Sequence, residues 1–295
     1  MQRHFNFIIL MLGTIHTICG QNPNMEIGGF EYSIIPDLGD TSVEKYTLNL
    51  NLGKRFKKRG TFGVGVSYNY YVFMFNNASL DFDAHSYENI HTIRARFFFK
   101  YFINTTWSAN VMFAPIVSSN FEGGLSHEDV IISSAVTLSK SWSNEKASSL
   151  FTFGIGYGIA LGEPQLIPIV SFRKKVNETW SYSLGIPRTK LNYHFDQRHT
   201  LSTEASLNGL FSNISSSINF QELGSFTDTK LQYNSLDTSL NYAYRIQPNW
   251  TTVVKIGYSP WNQLKILDNE NNEIYDFEPD SSLFISIGLK FNLNK

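Results

Sequence analysis

The residues best placed to do chemistry are charged side chains that recur at every second position of otherwise apolar segments. The candidate set is Arg94, Arg96, Lys100, Glu204, Asp237 and Arg245, and further members of the pattern are Glu31, Arg173, Lys255 and Lys290. Rings of charge inside a membrane pore set its ion preference. This set has a cationic bias, so it would favour small anionic solutes. The same side chains could instead pair in salt bridges that close the interior, and the residue types leave both interpretations open.

A catalytic arrangement is conceivable around His194. Glu204, Ser202 and Ser206 lie in the following segment, and a serine, a histidine and an acid can together form a hydrolytic site. Such residues are common on any polar wall, and nothing in their spacing fixes a geometry. We therefore expect no enzymatic activity and no catalytic residues.

Metal and cofactor sites are not expected either. Asp81, Asp83 and His85 offer ligands for a divalent cation, but a solvated acidic loop is the better explanation for them. The only cysteine, Cys19, falls in the leader segment described below, which argues against thiol chemistry in the rest of the chain. We expect neither a metal nor a cofactor.

The segment 61–75 shows what kind of element carries the charges. Val64, Val66 and Tyr68 alternate with Gly63 and other small, uncharged residues. A period of two predicts a β-strand. The second face is small rather than charged, so the apolar face is predicted to meet lipid and the small face a lumen. Three cations on the lipid face of 90–102 would each cost about 2 to 4 kcal/mol near the midplane, so they must point inward.

The same alternation recurs about fourteen times, although twelve strands are also compatible with the pattern. Short turns near residues 104–105, 176–177, 196–198 and 247–249 alternate with long loops at 76–89, 117–128, 211–228 and 259–281. Transmembrane barrels have an even strand count, with short turns at one end and long loops at the other. The fold class is therefore predicted to be all-β, an antiparallel up-and-down transmembrane β-barrel.

Three tryptophans follow turns that contain asparagine. Trp107, Trp180 and Trp250 each stand directly after such a turn. In an up-and-down barrel all three lie at one rim, where an amphipathic ring is stable between hydrocarbon and water. The pattern favours an aromatic girdle at the end with short turns.

The first twenty residues have the features of a secretory signal. Arg3 and His4 precede a short apolar core, and Gly20 ends a plausible cleavage region. Residues 1–20 are thus predicted to be a signal peptide and residues 21–295 a single barrel domain. No later run approaches the roughly 20 apolar residues of a membrane helix.

Composition supports the membrane interpretation. Charged residues make up 17% of the 295-residue chain and aromatic residues 15%, and the net charge is -1. Soluble proteins average roughly 25% charged residues, and a nucleic-acid partner would need a basic excess. In an exported soluble β-sandwich, apolar and polar residues would also alternate along each strand. Its outer faces would have to be well hydrated, and the glycine-rich faces of these strands are poorly suited to that.

The ladders and the segment 184–193, which reads LGIPRTKLNY, resemble an uncharacterised family of outer-membrane β-barrel proteins of Bacteroidetes-type bacteria, a domain of unknown function. The resemblance covers nearly all of the chain after the signal. It implies a fold and a location in the Gram-negative outer membrane, without an activity. Many such barrels end on an aromatic residue, whereas Phe291 is followed by four more residues.

We therefore expect a passive, porin-like channel for small solutes. The alternative is a structural or partner-binding barrel without transport. Expected partners are membrane lipid, the outer-membrane assembly machinery, and either a small solute or an unidentified surface partner.

Overall fold

The computed structural model describes residues 25–56, 59–76, 80–144, 147–221 and 223–293 as an all-β protein. The predicted signal peptide lies outside these residues. The strands are β1 (Met25–Ile35), β2 (Thr41–Phe56), β3 (Gly60–Phe75), β4 (Asn89–Phe102), β5 (Trp107–Ser119), β6 (Val130–Ser143), β7 (Ser148–Gly158), β8 (Gln165–Lys175), β9 (Trp180–Ile186), β10 (Arg188–His194), β11 (His199–Ile214), β12 (Ile218–Phe220), β13 (Gly224–Phe226), β14 (Thr229–Gln247), β15 (Trp250–Leu267), β16 (Glu273–Asp276) and β17 (Ser282–Leu293). Short 3-10 turns span His85–Tyr87 and His127–Asp129. Within the described ranges no helix is both long and apolar enough to cross a membrane.

Fourteen of these strands close into a barrel. Strands β1 to β11 pair in sequence order, β11 pairs with β14, β14 with β15, and β15 with β17. The ring closes where Phe30 of β1 lies opposite Leu289 of β17. Every neighbouring pair in the ring is antiparallel. The predicted fourteen-strand antiparallel barrel is confirmed.

The two faces of each wall strand are chemically different, as the alternation in 61–75 indicated. On β3 the outward Val66 is 51% exposed, whereas the inward Ser67 is 8% exposed. Exposed apolar side chains continue around the wall, among them Leu50, Val111, Val136, Ile155, Leu240, Ile256 and Ile285. Because an exposed apolar patch of this extent is unfavourable in water, the exterior is suited to lipid.

The barrel has two unlike ends, which we call the turn end and the loop end. Short connections at 103–106, 176–179, 195–198 and 248–249 form the turn end, and longer ones at 76–88, 120–129, 215–228 and 268–281 form the loop end. Trp107, Trp180 and Trp250 are each the first residue of a strand that leaves the turn end. Asn104 and Asn177 fix two of these turns, because each side chain accepts a hydrogen bond from the tryptophan N–H three residues later, at 2.8 and 2.7 Å.

The loop end is closed by strands that fold inward. Residues 211–228 and 259–281 were predicted to be loops, but β11 continues to Ile214 and β15 to Leu267. The tops of β11, β14 and β15, residues 210–214, 229–235 and 262–267, form what we call the inserted sheet. It crosses the interior far enough for Asn213 to pair with Ser119 of β5. A wall strand is not expected to meet a strand six places away. The loop prediction is wrong for 211–214 and 259–267, which are strand residues.

Apolar side chains pack on both faces of the inserted sheet. On one face Leu231, Leu264 and Ile266 join Phe73 and Ile90 of the opposite wall, all fully buried. On the other face Phe211 and Leu267 contact Ile116, Ile131 and Ile159. Burial of this kind stabilises by roughly 1.5 to 3 kcal/mol per large side chain, so the inserted sheet fills the loop end with a packed core.

The wall is lowest at the hairpin of β9 and β10. Each of these strands has 7 residues, whereas the neighbouring β11 has 16. Their connection is the single residue Pro187, whose carbonyl accepts a hydrogen bond from Leu207 N–H of β11.

Candidate functional site

The interior below the inserted sheet holds a central cavity of about 840 Å³. Four of the six sequence-predicted residues line it: Arg94, Arg96, Glu204 and Asp237. The rest of the lining is mixed: it includes hydroxyl and amide side chains such as Ser67, Asn69 and Asn208, and apolar ones such as Met112, Ile167 and Ile169. The central cavity is the candidate functional site.

Small residues on β3 make room for the two arginines. Gly65 lies opposite Arg96 and Ser67 opposite Arg94 in the β3–β4 ladder. The same relationship continues at Gly63, where an added Cβ would lie 1.9 Å from the ring of Phe98. The small face of β3 therefore accommodates the long inward side chains of β4.

The acids of the wall are already engaged by cations. Glu31 of β1 lies 2.7 Å from Lys255 of β15. Glu204 of β11 contacts two cations of β10, Arg188 at 3.2 Å and Lys190 at 3.3 Å. Part of the lining is thus the salt-bridge network that the sequence left open as one of two interpretations.

Asp237 is held by neutral donors instead. Its carboxylate accepts hydrogen bonds from Asn208 Nδ2 at 2.7 Å and from Ser259 Oγ at 2.6 Å. Hydrogen bonds to an ionised acceptor are short and roughly twice as strong as neutral ones. The two hydrogen bonds therefore fix the position of the Asp237 side chain beneath the inserted sheet.

Arg94 and Arg96 stand apart from these pairs. In the part of the chain that the structure describes, neither forms an ion pair, and Arg94 Nε is buried without a hydrogen bond to a protein acceptor. An arginine carries its charge at every accessible pH. The lining of the central cavity carries six basic side chains and four acidic ones, so its formal charge is positive: Lys45, Arg94, Arg96, Arg188, Lys255 and Lys290 against Glu26, Glu31, Glu204 and Asp237.

A second cavity, of about 720 Å³, lies toward the turn end, and we call it the turn-end cavity. Its lining includes five basic side chains and the imidazole ring of His194; the basic residues are Arg173, Lys174, Lys175, Arg188 and Lys190. Arg188 also lines the central cavity, so the two spaces adjoin. Arg173 was predicted to face the lumen, whereas Arg188 and Lys190 of β10 were not. The inward positions of these two β10 residues follow the same alternation as those of Arg94 and Arg96.

The remaining two predicted residues lie near the turn end rather than in the central cavity. Lys100 sits over the ring of Phe102, with 5.5 Å between its nitrogen and the ring centre, and is close enough to Arg173 and Arg55 to interact electrostatically. Arg245 is an exposed residue close to the turn that follows β14 and lines neither cavity.

A buried polar cluster joins the inserted sheet to the connection between β5 and β6. Asn213 Nδ2 donates to Asp129 at 2.9 Å, and Lys230 Nζ donates to Glu128 at 2.7 Å. We call these four residues the loop-end cluster. The hydrogen bond and charge of Lys230 hold the pKa of Glu128 below its ordinary value. Burial alone would raise the pKa of Asp129, but hydrogen bonds from the Ser126 backbone and Asn213 outweigh it and lower that pKa.

The family of the chain is decided by a match over most of its length. A family model described as "Domain of unknown function (DUF6268)" matches residues 39–292. The chain belongs to this family. No curated protein matches it.

Solved structures share the architecture of this DUF6268 member at low identity. The COG4313 outer membrane channel from Pseudomonas putida F1 is 8% identical, with a TM-score of 0.47, 94% of this chain covered and 98% of that one. For the TodX monoaromatic hydrocarbon channel the identity is 10%, the TM-score 0.42, and the coverage 94% and 91%. For outer membrane phospholipase A from Escherichia coli the identity is 8% and the TM-score 0.38, with 90% of this chain covered and 92% of that one. The likeness concerns the barrel fold alone.

The catalytic arrangement considered around His194 is not assembled in this family member. His194 contacts the hydroxyls of Thr200, at 2.9 Å, and Ser181, at 3.4 Å. Glu204 lies two inward positions further along β11, opposite Lys190, and pairs with Lys190 and Arg188. His194 therefore has no orienting acid from Glu204.

The acidic loop 81–85 forms a turn. Asp83 accepts a hydrogen bond from the His85 backbone N–H at 3.0 Å, and His85 Nδ1 lies 3.2 Å from Glu88. Among the described residues, no group of three or more potential metal-binding side chains converges.

Proposed function

We propose that this protein is an outer-membrane channel that conducts small solutes passively and prefers anions. The observation that carries the proposal is the central cavity inside the closed barrel, whose lining has more basic than acidic side chains and includes Arg94 and Arg96, which form no ion pair. Because uncompensated charge in a narrow lumen attracts counter-ions, the cavity would concentrate small anions.

The exterior supports a membrane location. The apolar faces of the wall strands are exposed, and Trp107, Trp180 and Trp250 lie together at the turn end. A girdle of this kind marks the border between hydrocarbon and water. The turn end would face the periplasm and the loop end the exterior, after export by the signal at 1–20 and insertion by the outer-membrane assembly machinery.

The filled loop end makes the proposed channel a gated one. The inserted sheet blocks the route outward with a packed apolar core, so conduction requires its displacement. The loop-end cluster holds that sheet against the connection between β5 and β6. Its four residues are therefore the contacts whose loss would favour the conducting state.

The filled loop end also favours a second candidate, a partner-binding barrel without transport. In that case the inserted sheet is a permanent core, and the loops above it, with β12, β13 and β16, present a fixed surface to a partner. Deletion of 268–281 separates the two candidates, because loss of partner binding with unchanged conductance supports the second.

We propose no enzymatic role, since His194 is hydrogen bonded to hydroxyl groups and the candidate acid Glu204 is committed to two cations. Hydrolysis assays on wild type and on His194→Ala test this proposal. Activity that is lost in the variant while its barrel remains folded would contradict it.

Planar bilayer recordings test the channel. Wild type is expected to give discrete conductance steps, and Glu128→Gln, which removes the partner of Lys230, is expected to give longer or more frequent openings. Barrel folding is monitored by heat-modifiable migration on gels. Silent bilayers with folded wild type and folded Glu128→Gln would overturn the channel and leave the partner-binding barrel.

A further inference from the structure

The turn-end cavity is unusual in the sign of its charges. Arg173 and Lys175 project into it from β8, and Lys190 and His194 from β10. Among the described residues, no carboxylate lines this cavity. Glu204, which pairs with the lining residues Arg188 and Lys190, lines the central cavity instead.

The cations of this region are close enough to affect one another. Lys175 interacts electrostatically with His194, and across the lumen Lys100 of β4 interacts with Arg173. Within the described ranges, Arg173, Lys175 and Lys100 form no ion pair with an acid. Arg173 and Lys175 are both exposed. Like charges that lie close together repel each other, and a bound anion would relieve that repulsion.

The donors suit a phosphate or carboxylate group. The planar guanidinium of Arg173 can bind such a group through two parallel hydrogen bonds. Lys175 and Lys190 add ammonium donors, and Ser141 and Ser183 line the same space with hydroxyls. The combination can surround an anion with several charged and neutral donors.

The size of the cavity limits the ligand. About 720 Å³ lies within the range of roughly 300 to 1,000 Å³ that is typical of small-molecule sites. We propose that the turn-end cavity is a binding site for a compact polyvalent anion that carries phosphate or carboxylate groups, with Arg173 and Lys175 as its principal contacts. The site does not depend on conduction, because it is reached from the turn end below the inserted sheet.

Calorimetric titration of the full barrel in detergent, with pyrophosphate at low ionic strength, tests the site. Wild type is expected to bind in a saturable manner. Arg173→Gln/Lys175→Gln is expected to weaken binding about tenfold or more, since each lost charge-assisted hydrogen bond contributes measurably to affinity. The matched control is Lys54→Gln/Lys140→Gln, which removes the same charge from outward-facing positions of β2 and β6 and is expected to bind like wild type.

Citrate in the same titration distinguishes the two ligand chemistries. Tighter binding of pyrophosphate assigns the site to phosphorylated solutes, and tighter binding of citrate assigns it to polycarboxylates; both support the site. If the double variant does not fold, Lys175→Gln alone, at an exposed position, replaces it with the same expected direction. No saturable heat with folded wild type, or equal loss in the control and in the cavity variant, would overturn the proposal.

The result is separable from the channel test. Saturable pyrophosphate binding by a barrel that stays silent in bilayers would leave this site standing and remove the channel. Conductance steps without pyrophosphate binding would support the channel and remove the proposed anion site.

Discussion

Lys230 Nζ lies 2.7 Å from Glu128, although Lys230 belongs to the inserted sheet and Glu128 to the connection between β5 and β6, 102 residues earlier. The Lys230 side chain is 5% exposed. A buried charge that loses its partner is strongly destabilising, whereas replacing both partners by neutral groups costs far less. The pair therefore holds the inserted sheet in place.

The first prediction concerns the difference between breaking and replacing this pair. Glu128→Gln is expected to weaken the docked state by about 3 kcal/mol, because it leaves Lys230 buried without a carboxylate. Amide hydrogen exchange in 229–233 would then rise by roughly a hundredfold. The double variant Glu128→Gln/Lys230→Met is expected to restore much of the protection. Equal exchange in the single and double variants would contradict this account.

The second prediction concerns pH. Both Glu128 and Asp129 have pKa values below the ordinary carboxyl range in the docked state, so their contribution is fully present above the ordinary values of 4.5 and 3.8. It is lost as the pH falls through the lowered values. Exchange in 229–233 is expected to be flat from pH 7 to about 5, after correction for intrinsic rates, and to rise below about 4.

Asp129→Asn is the variant that checks this assignment. It removes one of the two titrating carboxyl groups, the one hydrogen bonded to Asn213, and should make the rise in exchange below about pH 4 smaller. His127→Gln is the control, since His127 lies 3.1 Å from Glu128 and is 92% exposed. If the rise in exchange below about pH 4 is unchanged in Asp129→Asn, or disappears in His127→Gln, the transition belongs to other groups.

The third prediction concerns ion preference in the central cavity. Arg94→Ala and Arg96→Ala are each expected to lower the ratio of anion to cation permeability about sevenfold. One unit charge roughly 7 Å from the ion path in water changes the energies of an anion and of a cation by about 0.6 kcal/mol each, in opposite directions. Reversal potentials under a salt gradient measure the ratio. Lys140→Gln, on the outer wall, should leave it unchanged. An effect of similar size in Lys140→Gln would mean that the lining does not set the preference.

The fourth prediction concerns Gly209, where two segments approach closely. A Cβ at Gly209 would lie 2.0 Å from the Ile159 carbonyl oxygen, so Gly209→Ala has to push the β7–β8 connection away from β11. Overpacking of this kind costs about 1 to 3 kcal/mol. Heat-modifiable unfolding is expected to occur at lower temperature. Gly156→Ala is the control, because its Cβ would meet the flexible end of the Ile169 side chain at 3.1 Å and the Ser134 carbonyl oxygen at an ordinary contact distance of 3.4 Å.

The barrel wall could be predicted because the pattern that defines its strands lies within short stretches of sequence. Val64 and Val66 alternate with Gly63 and Gly65 in the sequence itself. Because successive side chains of a strand point to opposite faces, this alternation alone distinguishes the lipid face from the lumen face. The inward direction of Arg94 and Arg96 follows from the same period. The approximate number of strands, and the alternation of short turns with long loops, could therefore be predicted from the sequence.

The inserted sheet could not be predicted, for two physical reasons. Its strands are buried on both faces, so Leu210 and Phe211 are adjacent apolar residues with no alternation between them. Its polar residues, Asn213 and Lys230, look like loop residues until their partners are known. Those partners are 84 and 102 residues distant, and only the closed barrel brings them together.

The pairing of Glu204 shows the same limit within the site. Its inward direction was predictable, but the register of β10 against β11 is what places Arg188 and Lys190 beside it. A shift of two residues would have offered it Asn192 and left both cations free. Whether a lining is neutralised or charged therefore depends on register, which the alternation does not specify.

The low wall at β9 and β10 has a consequence for the surrounding bilayer. Seven residues span about 23 Å along a strand and roughly 16 Å along the membrane normal at a typical tilt, well short of the usual apolar band of about 25 Å. Lipid next to this hairpin has to thin to match it, at a modest cost for each ångström of mismatch. A second membrane protein that covers this side would remove that deformation, which gives the barrel a preferred direction for lateral contacts.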